Sequence, residues 1–229
     1  MPESVDQILT RLDEITEAGI KAHSPSGYFP ALYRRVTSTV GDAIERGEFE
    51  DKARMEALLV NFAQRYLDAF DGYTSGLPVT QSWLFAFSHS RENSLIVLQH
   101  LLLCMNAHIS LDLGLSTSEV ADPANPLSIK EDFLAINGIL GSLINDTQKR
   151  LTRIFGPLGI LDRLLGSIDE SFSLFSIKYA RGKAWTQTLE LLLASAEQRP
   201  SLIEERDARV AAFSHQIVRP PAFKLRLLL

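Results

Sequence analysis

Cysteine is all but missing from this chain: Cys104 is the only one in 229 residues. A single thiol excludes an internal disulfide and any multi-cysteine zinc site. Positive charge is not in excess either, since 23 Lys and Arg stand against 28 Asp and Glu, a formal net charge of −5. Without a basic field nothing neutralises a phosphate backbone, and no nucleic acid is expected as a partner. Long apolar runs are also absent. The oiliest segment is interrupted by Gln99, His100, Asn106, His108 and Asp112, so no stretch of about 18 apolar residues provides a membrane span. The N-terminal MPESVDQIL lacks a basic segment followed by an apolar one, and with the lone cysteine this points to a cytoplasmic protein. The familiar catalytic signatures are missing as well. There is no Glu-x-x-His pair, no G-x-S-x-G elbow, no Walker A loop and no G-x-G-x-x-G, which removes weight from di-iron, α/β-hydrolase, nucleotide and dinucleotide chemistry.

What is present is ordinary globular material, 45% apolar and 22% charged. A chain of this length can bury roughly 70% of its unfolded surface as one large domain. Helical signals recur along it. Ser4 with Gln7 makes a capping-box pattern ahead of Val5, Ile8, Leu12 and Ile15, which predicts a helix to about Lys21. The turn chemistry of HSPSG precedes a helix that starts near Pro30 and closes at Gly47. A third helix is expected over about Asp51–Phe70 and a fourth over Gln81 to about Ser90. A long fifth, from Ser94 to Leu113, would be ended by Gly114. Ser116 to Leu127, with two prolines, reads as an ordered loop of about a dozen residues. Capping boxes at Ser128/Glu131 and Ser201/Glu204 predict helices reaching about Phe155 and forming the last helix, with another helix over about Ser171–Ser195. No alternating strand pattern appears. The fold class predicted is all-α, a single-domain multi-helix bundle over residues 1–219 around a buried central helix at about 94–113. PPAFKLRLLL, in 220–229, reads as a tail that packs on its own domain or on a symmetry mate in a homo-oligomer.

QHLLLCMNAHISLDLG, Gln99 to Gly114, is the most informative stretch. A helix that is oily on nearly every side belongs in the middle of a bundle, so its polar residues are buried too. An unpaired buried polar group costs about 1 to 3 kcal/mol, and each must find a partner. His100, Cys104, His108 and Asp112 step by four along one slowly drifting stripe. His100 and His108 are about 12 Å apart along the axis, too far to share an ion, whereas His108 and Asp112 are about 6 Å apart. His-x-x-x-Asp is a workable pair of ligands for a first-row metal such as zinc or iron. Asp68, in RYLDAF, and Asp132, in DFLAIN, are carboxylates inside apolar helical segments, with Arg65 and Asn137 on or near the same faces. Three readings stay open for this group: a structural hydrogen-bond and ion-pair network, a metal site, and a metal-free acid/base pocket. Cys104 reads as an inert core residue, His23, His89 and His215 as solvent-facing, although His23 beside its loop could edge a pocket, and Arg181 with Trp185 as a stacked core-edge pair.

The strings GYFPALYRRVT, FAQRYLDAF, QHLLLCMNAHISLDLG, DFLAINGIL and KYARGKAW resemble the hallmarks of a family of mostly bacterial proteins known only as a domain of unknown function. The resemblance runs from about Tyr28 to Trp185. It implies a compact helical domain whose recurrent polar residues correspond to Arg34, Arg65, Asp68, His100, Asn106, His108, Asp112, Asp132 and Asn137, and it implies no activity. That family tends to have Gly where this chain has Cys104, which argues further against thiol chemistry.

The leading functional expectation is a metal-dependent enzyme, a hydrolase first, acting on a small, partly apolar substrate. His108 and Asp112 would hold a divalent ion, Asp68 or Asp132 would complete its shell or act as base, Arg65 would hold an anionic substrate group, and His100, Asn106, Asn137 and Arg34 would line the pocket. Iron in the same shell would instead support oxidation. The rival from another class is a non-catalytic binding or assembly module in which the same residues only specify the core.

Overall fold

The structure, a computed structural model, describes residues 4–92, 94–140 and 177–219. Among these residues there is no strand, and the fold is an all-α multi-helix bundle. Its helices are α1 (Val5–Lys21), α2 (Tyr28–Glu45), α3 (Lys52–Thr74), α4 (Gln81–Ser88), α5 (Val97–Ala107) and α6 (Leu113–Val120). These are followed by α7 (residues 130–140), α8 (Ile177–Leu193) and α9 (Arg199–Val218). No helix among the described residues is long and apolar enough to cross a membrane.

Local chemistry sets the first elements. The Ser4 side chain accepts the Gln7 N–H at 3.3 Å and starts α1, whose Ile8, Leu12 and Ile15 are buried. The chain then turns through Pro25–Gly27 with Gly19 and Gly27 pressed together. A Cβ on Gly19 would lie 2.6 Å from the Gly27 Cα, so only glycine lets the two backbones meet. That contact places Phe29 and Tyr33, on the first turns of α2, beside Ile8, Leu12, Tyr66 and Trp83 in the principal core. A second cluster joins Val40 and Ile44 of α2 to Met55 and Leu58 of α3 and to Ile129 and Ile136.

The predicted central helix is buried between the others, but it is not one continuous α-helix. Between α5 and α6 the backbone widens into a π turn at His108–Asp112, where the Leu113 N–H reaches back to the His108 carbonyl. Gly114 does not end it. The helix continues to Val120, and Gly114 instead lets α6 approach α8, since a Cβ there would sit 2.4 Å from Gln187 Oε1 and 2.9 Å from the Ala184 carbonyl. The expected loop from Ser116 therefore shrinks to residues 121–125. Ser116 and Thr117 are buried helical residues whose hydroxyls bond Arg65 and the Leu113 carbonyl.

Two further helix starts differ from expectation. Ser128 does not cap a helix, because its hydroxyl and carbonyl both accept from the Arg54 guanidinium at 2.8 Å. A 3-10 turn, Pro126–Ile129, leads into α7 instead. α9 begins at Arg199 rather than at Ser201, because Pro200 in the first turn needs no N–H partner. Residues 141–176 and 220–229, which hold the expected helix end near Phe155, the start of the helix near Ser171 and the basic-apolar tail, lie outside the described residues.

Candidate functional site

The interior polar residues of α5 and the π turn divide into separate partnerships. Gln99 caps its own helix by accepting the Ile96 N–H at 3.1 Å, and it donates to the Ile217 carbonyl of α9 at 2.9 Å. Asn106, 2% exposed, donates to the Val210 carbonyl and the Ser214 hydroxyl of α9. Neither has capacity to spare for a ligand at its amide nitrogen.

His108 and Asp112 form a different kind of pair. Residues four apart nearly eclipse in the wider π turn, and His108 Nδ1 lies 3.2 Å from Asp112 Oδ2. The same oxygen accepts the Trp83 indole N–H at 2.9 Å. Burial lowers the pKa of His108, with the hydrogen bond and charge of Asp112 opposing it. The neutral ring then donates its Nδ1 proton to the carboxylate and keeps a lone pair on Nε2. That nitrogen is buried and has no hydrogen-bond partner among the described residues. Around it stands an aromatic box. Phe62 stacks flat on the imidazole at 3.6 Å between centroids, Tyr33 meets it edge-on at 4.6 Å, and Phe29, Trp83 and Tyr66 close the remaining sides. The Tyr33 and Thr37 hydroxyls, one turn apart on α2, are also buried, and Thr37 is the polar neighbour that tempers the effect of burial on the Tyr33 phenol. Burial keeps the Tyr33 phenol protonated far above its ordinary range, and the Asp112 charge adds to this. Among the described residues the box thus holds one unpartnered lone pair, on His108 Nε2, beside the Tyr33 ring. Such an orphan costs about 1 to 3 kcal/mol in a core that gains nothing from it.

A cleft of about 450 Å³ opens nearby, where the end of α1 and the Pro25–Gly27 turn face the ends of α3 and α4. Phe70, Tyr73 and Phe87 supply apolar wall, and Ser24, Ser26 and Ser90 supply hydroxyls. Beside it, sharing Pro25, Ser26, Phe70, Phe87 and Ser90 as wall, lies an inner pocket of about 20 Å³ bounded also by His100, Cys104, Phe29 and Tyr66. Phe29 and Tyr66 are also walls of the aromatic box, so a single layer of rings separates the pocket from His108. Burial pushes the Cys104 thiol up to about 12, which makes it a poor nucleophile at neutral pH.

Most other residues expected at the site are elsewhere. Asp68 is exposed on α3 and bonded to Gln64, because its helical phase points away from the core side of Tyr66 and Leu67. Asp132 is buried, but its oxygens accept the Glu50 and Asp51 N–H groups at 2.7 and 3.1 Å, which fixes the approach to α3. Arg65 donates to Ser116 and pairs with Glu119 on α6. Arg34 pairs with Asp13 at the half-exposed surface, and Asn137 accepts from Arg181 Nε at 2.7 Å. Arg181 stands over the Phe133 ring at 4.4 Å, and Trp185 tilts against that same ring, so Phe133 separates the pair expected to stack. His89 and His215, expected in solvent, both lie against Phe85, although His215 remains exposed. The residues that sequence reasoning missed are Trp83, Tyr33 and Phe62. Each reads as ordinary core in its own helix, and nothing local marks it as a neighbour of His108.

A metal shared by His108 and Asp112 does not fit this donor set well. The carboxylate oxygen nearest the imidazole already serves two N–H donors, and among the described residues no group of three His, Cys, Asp or Glu side chains comes together around an ion.

The fold and site define a helical protein with a histidine–carboxylate pair sealed in an aromatic core beside a mostly apolar cleft. The chain belongs to a family of unknown function, DUF5995, whose model matches residues 5–220. No curated protein and no solved structure matches it.

Proposed function

We propose that the protein is a metal-independent acid–base enzyme acting on a small, partly apolar molecule, with His108 Nε2 as proton acceptor. The observation that carries this reading is the buried, unpartnered Nε2 of a ring whose other nitrogen is held by Asp112 and, through it, by Trp83. A carboxylate on Nδ1 fixes the tautomer and supports the imidazolium formed when Nε2 takes a proton. Tyr33, kept protonated by burial, offers its phenol O–H as a hydrogen-bond donor beside the ring. Hydrolysis fits this arrangement, with Nε2 drawing the proton from an attacking water and passing it to the leaving oxygen or nitrogen as the bond from the carbonyl carbon breaks. Access requires Phe29 or Tyr66 to swing aside and join the inner pocket to the box.

The test is hydrolysis of a panel of neutral aryl and alkyl esters and amides by the wild type, His108→Gln and Asp112→Asn. General-base catalysis contributes about 10²- to 10⁴-fold, so His108→Gln should lose at least a hundredfold while chelators leave the wild-type rate unchanged. Activity abolished by a chelator and restored by zinc or iron would return the metal-dependent hydrolase or oxidase to first place. Equal rates in wild type and His108→Gln would end the catalytic reading.

The second reading is a non-catalytic helical module in which the pair only fixes the core. It is favoured by one observation: His108 is 2% exposed and stacked flat on Phe62.

A further inference from the structure

His100 has no part in the step at His108, yet it has the same unusual feature. It is 6% exposed, it bounds the inner pocket, and among the described residues its Nε2 has no hydrogen-bond partner. Burial lowers its pKa, opposed by the nearby carbonyls of Glu92 and Leu95. A neutral imidazole with its Nδ1 proton turned to those carbonyls presents Nε2 as an acceptor. What it faces is small. A cavity needs about 10 to 15 Å³ to take one water, so the inner pocket of about 20 Å³ holds a single water or hydroxyl and no ring. The outer cleft, at about 450 Å³, is large enough for the hydrocarbon body of a small molecule.

The walls decide the ligand's charge. Among the described residues no Asp, Glu, Lys or Arg bounds either the cleft or the pocket. A cationic ligand would leave water with no carboxylate to meet it, and an anionic one would find only the exposed imidazole of His23 at the cleft's edge. Phe70, Tyr73 and Phe87 offer ring faces, and the serine hydroxyls on the rim can serve a neutral polar group.

We infer that the cleft is a binding site for an uncharged aromatic or alicyclic alcohol, its ring body between Phe70, Tyr73 and Phe87 and its hydroxyl donating to His100 Nε2. Such an alcohol is what hydrolysis of its ester would release, so the site names a product class for the acid–base reading and rests on that reading for the chemistry, but not for the binding.

The test is calorimetric titration of the full chain at neutral pH with naphthol, naphthalene and naphthoate, which share a ring body and differ in the head group. One satisfied hydroxyl hydrogen bond corresponds to about tenfold in affinity. Naphthol should therefore bind about tenfold tighter than naphthalene, and naphthoate more weakly than either. In His100→Phe the advantage of naphthol over naphthalene should vanish. Ala18→Trp places a bulky side chain in the cleft from an exposed position that does not support the fold, and it should weaken all three probes. Naphthoate binding as tightly as naphthol would overturn the inference. So would a naphthol preference that survives His100→Phe, binding indifferent to Ala18→Trp, or no binding of any probe at its solubility limit. Naphthol binding with no His108-dependent reaction in the ester and amide panel would leave this site standing and remove the acid–base reading alone.

Discussion

Replacing Asp112 with leucine tests the centre of the structure most directly. The substitution keeps the branched shape with bulkier methyl ends, a steric change that the double-mutant comparison below cancels, and it removes one acceptor oxygen that serves two buried donors, Trp83 Nε1 at 2.9 Å and His108 Nδ1 at 3.2 Å. A buried donor left without a partner costs about 1 to 3 kcal/mol, so Asp112→Leu should lose roughly 2 to 6 kcal/mol. Against a typical total of about 5 to 15 kcal/mol this is a large share. Urea unfolding followed by far-ultraviolet circular dichroism gives the number without relying on tryptophan emission. With slopes of about 1 to 3 kcal/mol per molar, the midpoint should fall by on the order of 1 to 3 M. The second half of the cycle assigns the cost. Trp83→Phe removes one of the two donors, so in that background Asp112→Leu should cost about 1 to 3 kcal/mol less than in the wild type. The exposed Asp68→Ala is the control, expected within about 0.5 kcal/mol of the parent. A coupling near zero between Asp112 and Trp83 would refute the shared-acceptor geometry, and so would equal losses in Asp112→Leu and Asp68→Ala.

Two further outcomes follow from the same kind of argument. The folded state resists protonating His108 and His100, both with pKa values lowered by burial, whereas the unfolded chain takes up those protons near the ordinary histidine value of about 6.5. Stability should thus be full above that pH and decline below it, and denaturant titrations of His108→Gln should show a shallower acid decline than the wild type. A steeper one would reverse the sign of the burial argument. Asp207 of α9 accepts the Gln81 and Ser82 N–H groups at 2.6 and 2.9 Å and so caps α4 from across the chain. Asp207→Ala should lower stability by about 1 to 2 kcal/mol in urea unfolding, the usual worth of such a cap, and an unchanged midpoint would count against it.

Where a structural choice depends on near neighbours, the sequence made it readable. Ser4 and Gln7 mark the start of α1, Gly47 marks the end of α2, and His108 with Asp112 were brought together by their spacing alone. Asp68 shows how composition misleads. RYLDAF looks apolar around its aspartate, but Gln64 and Asp68 are one turn apart on the solvent side, and that polar pair was the available signal. Asp132 had no such signal, because its N–H partners at Glu50 and Asp51 are more than eighty residues away. The aromatic box was hidden for the same reason. Tyr33, Phe62 and Trp83 come from three helices, and only packing places them around one imidazole.

The π turn also explains why the central segment looks oily all round. One additional residue in a helix advances every later side chain by about 100° relative to an unbroken α-helix. The face that α5 turns toward α4 and α9 and the face that α6 turns toward α3 and α8 are therefore set independently, with Gly114 rotated into position against Gln187. Laid on a single helical wheel, two narrow stripes of different phase merge into one broad band. The widened turn acts as a phase shifter, letting one rod present a different side to each half of the bundle without a break in the chain.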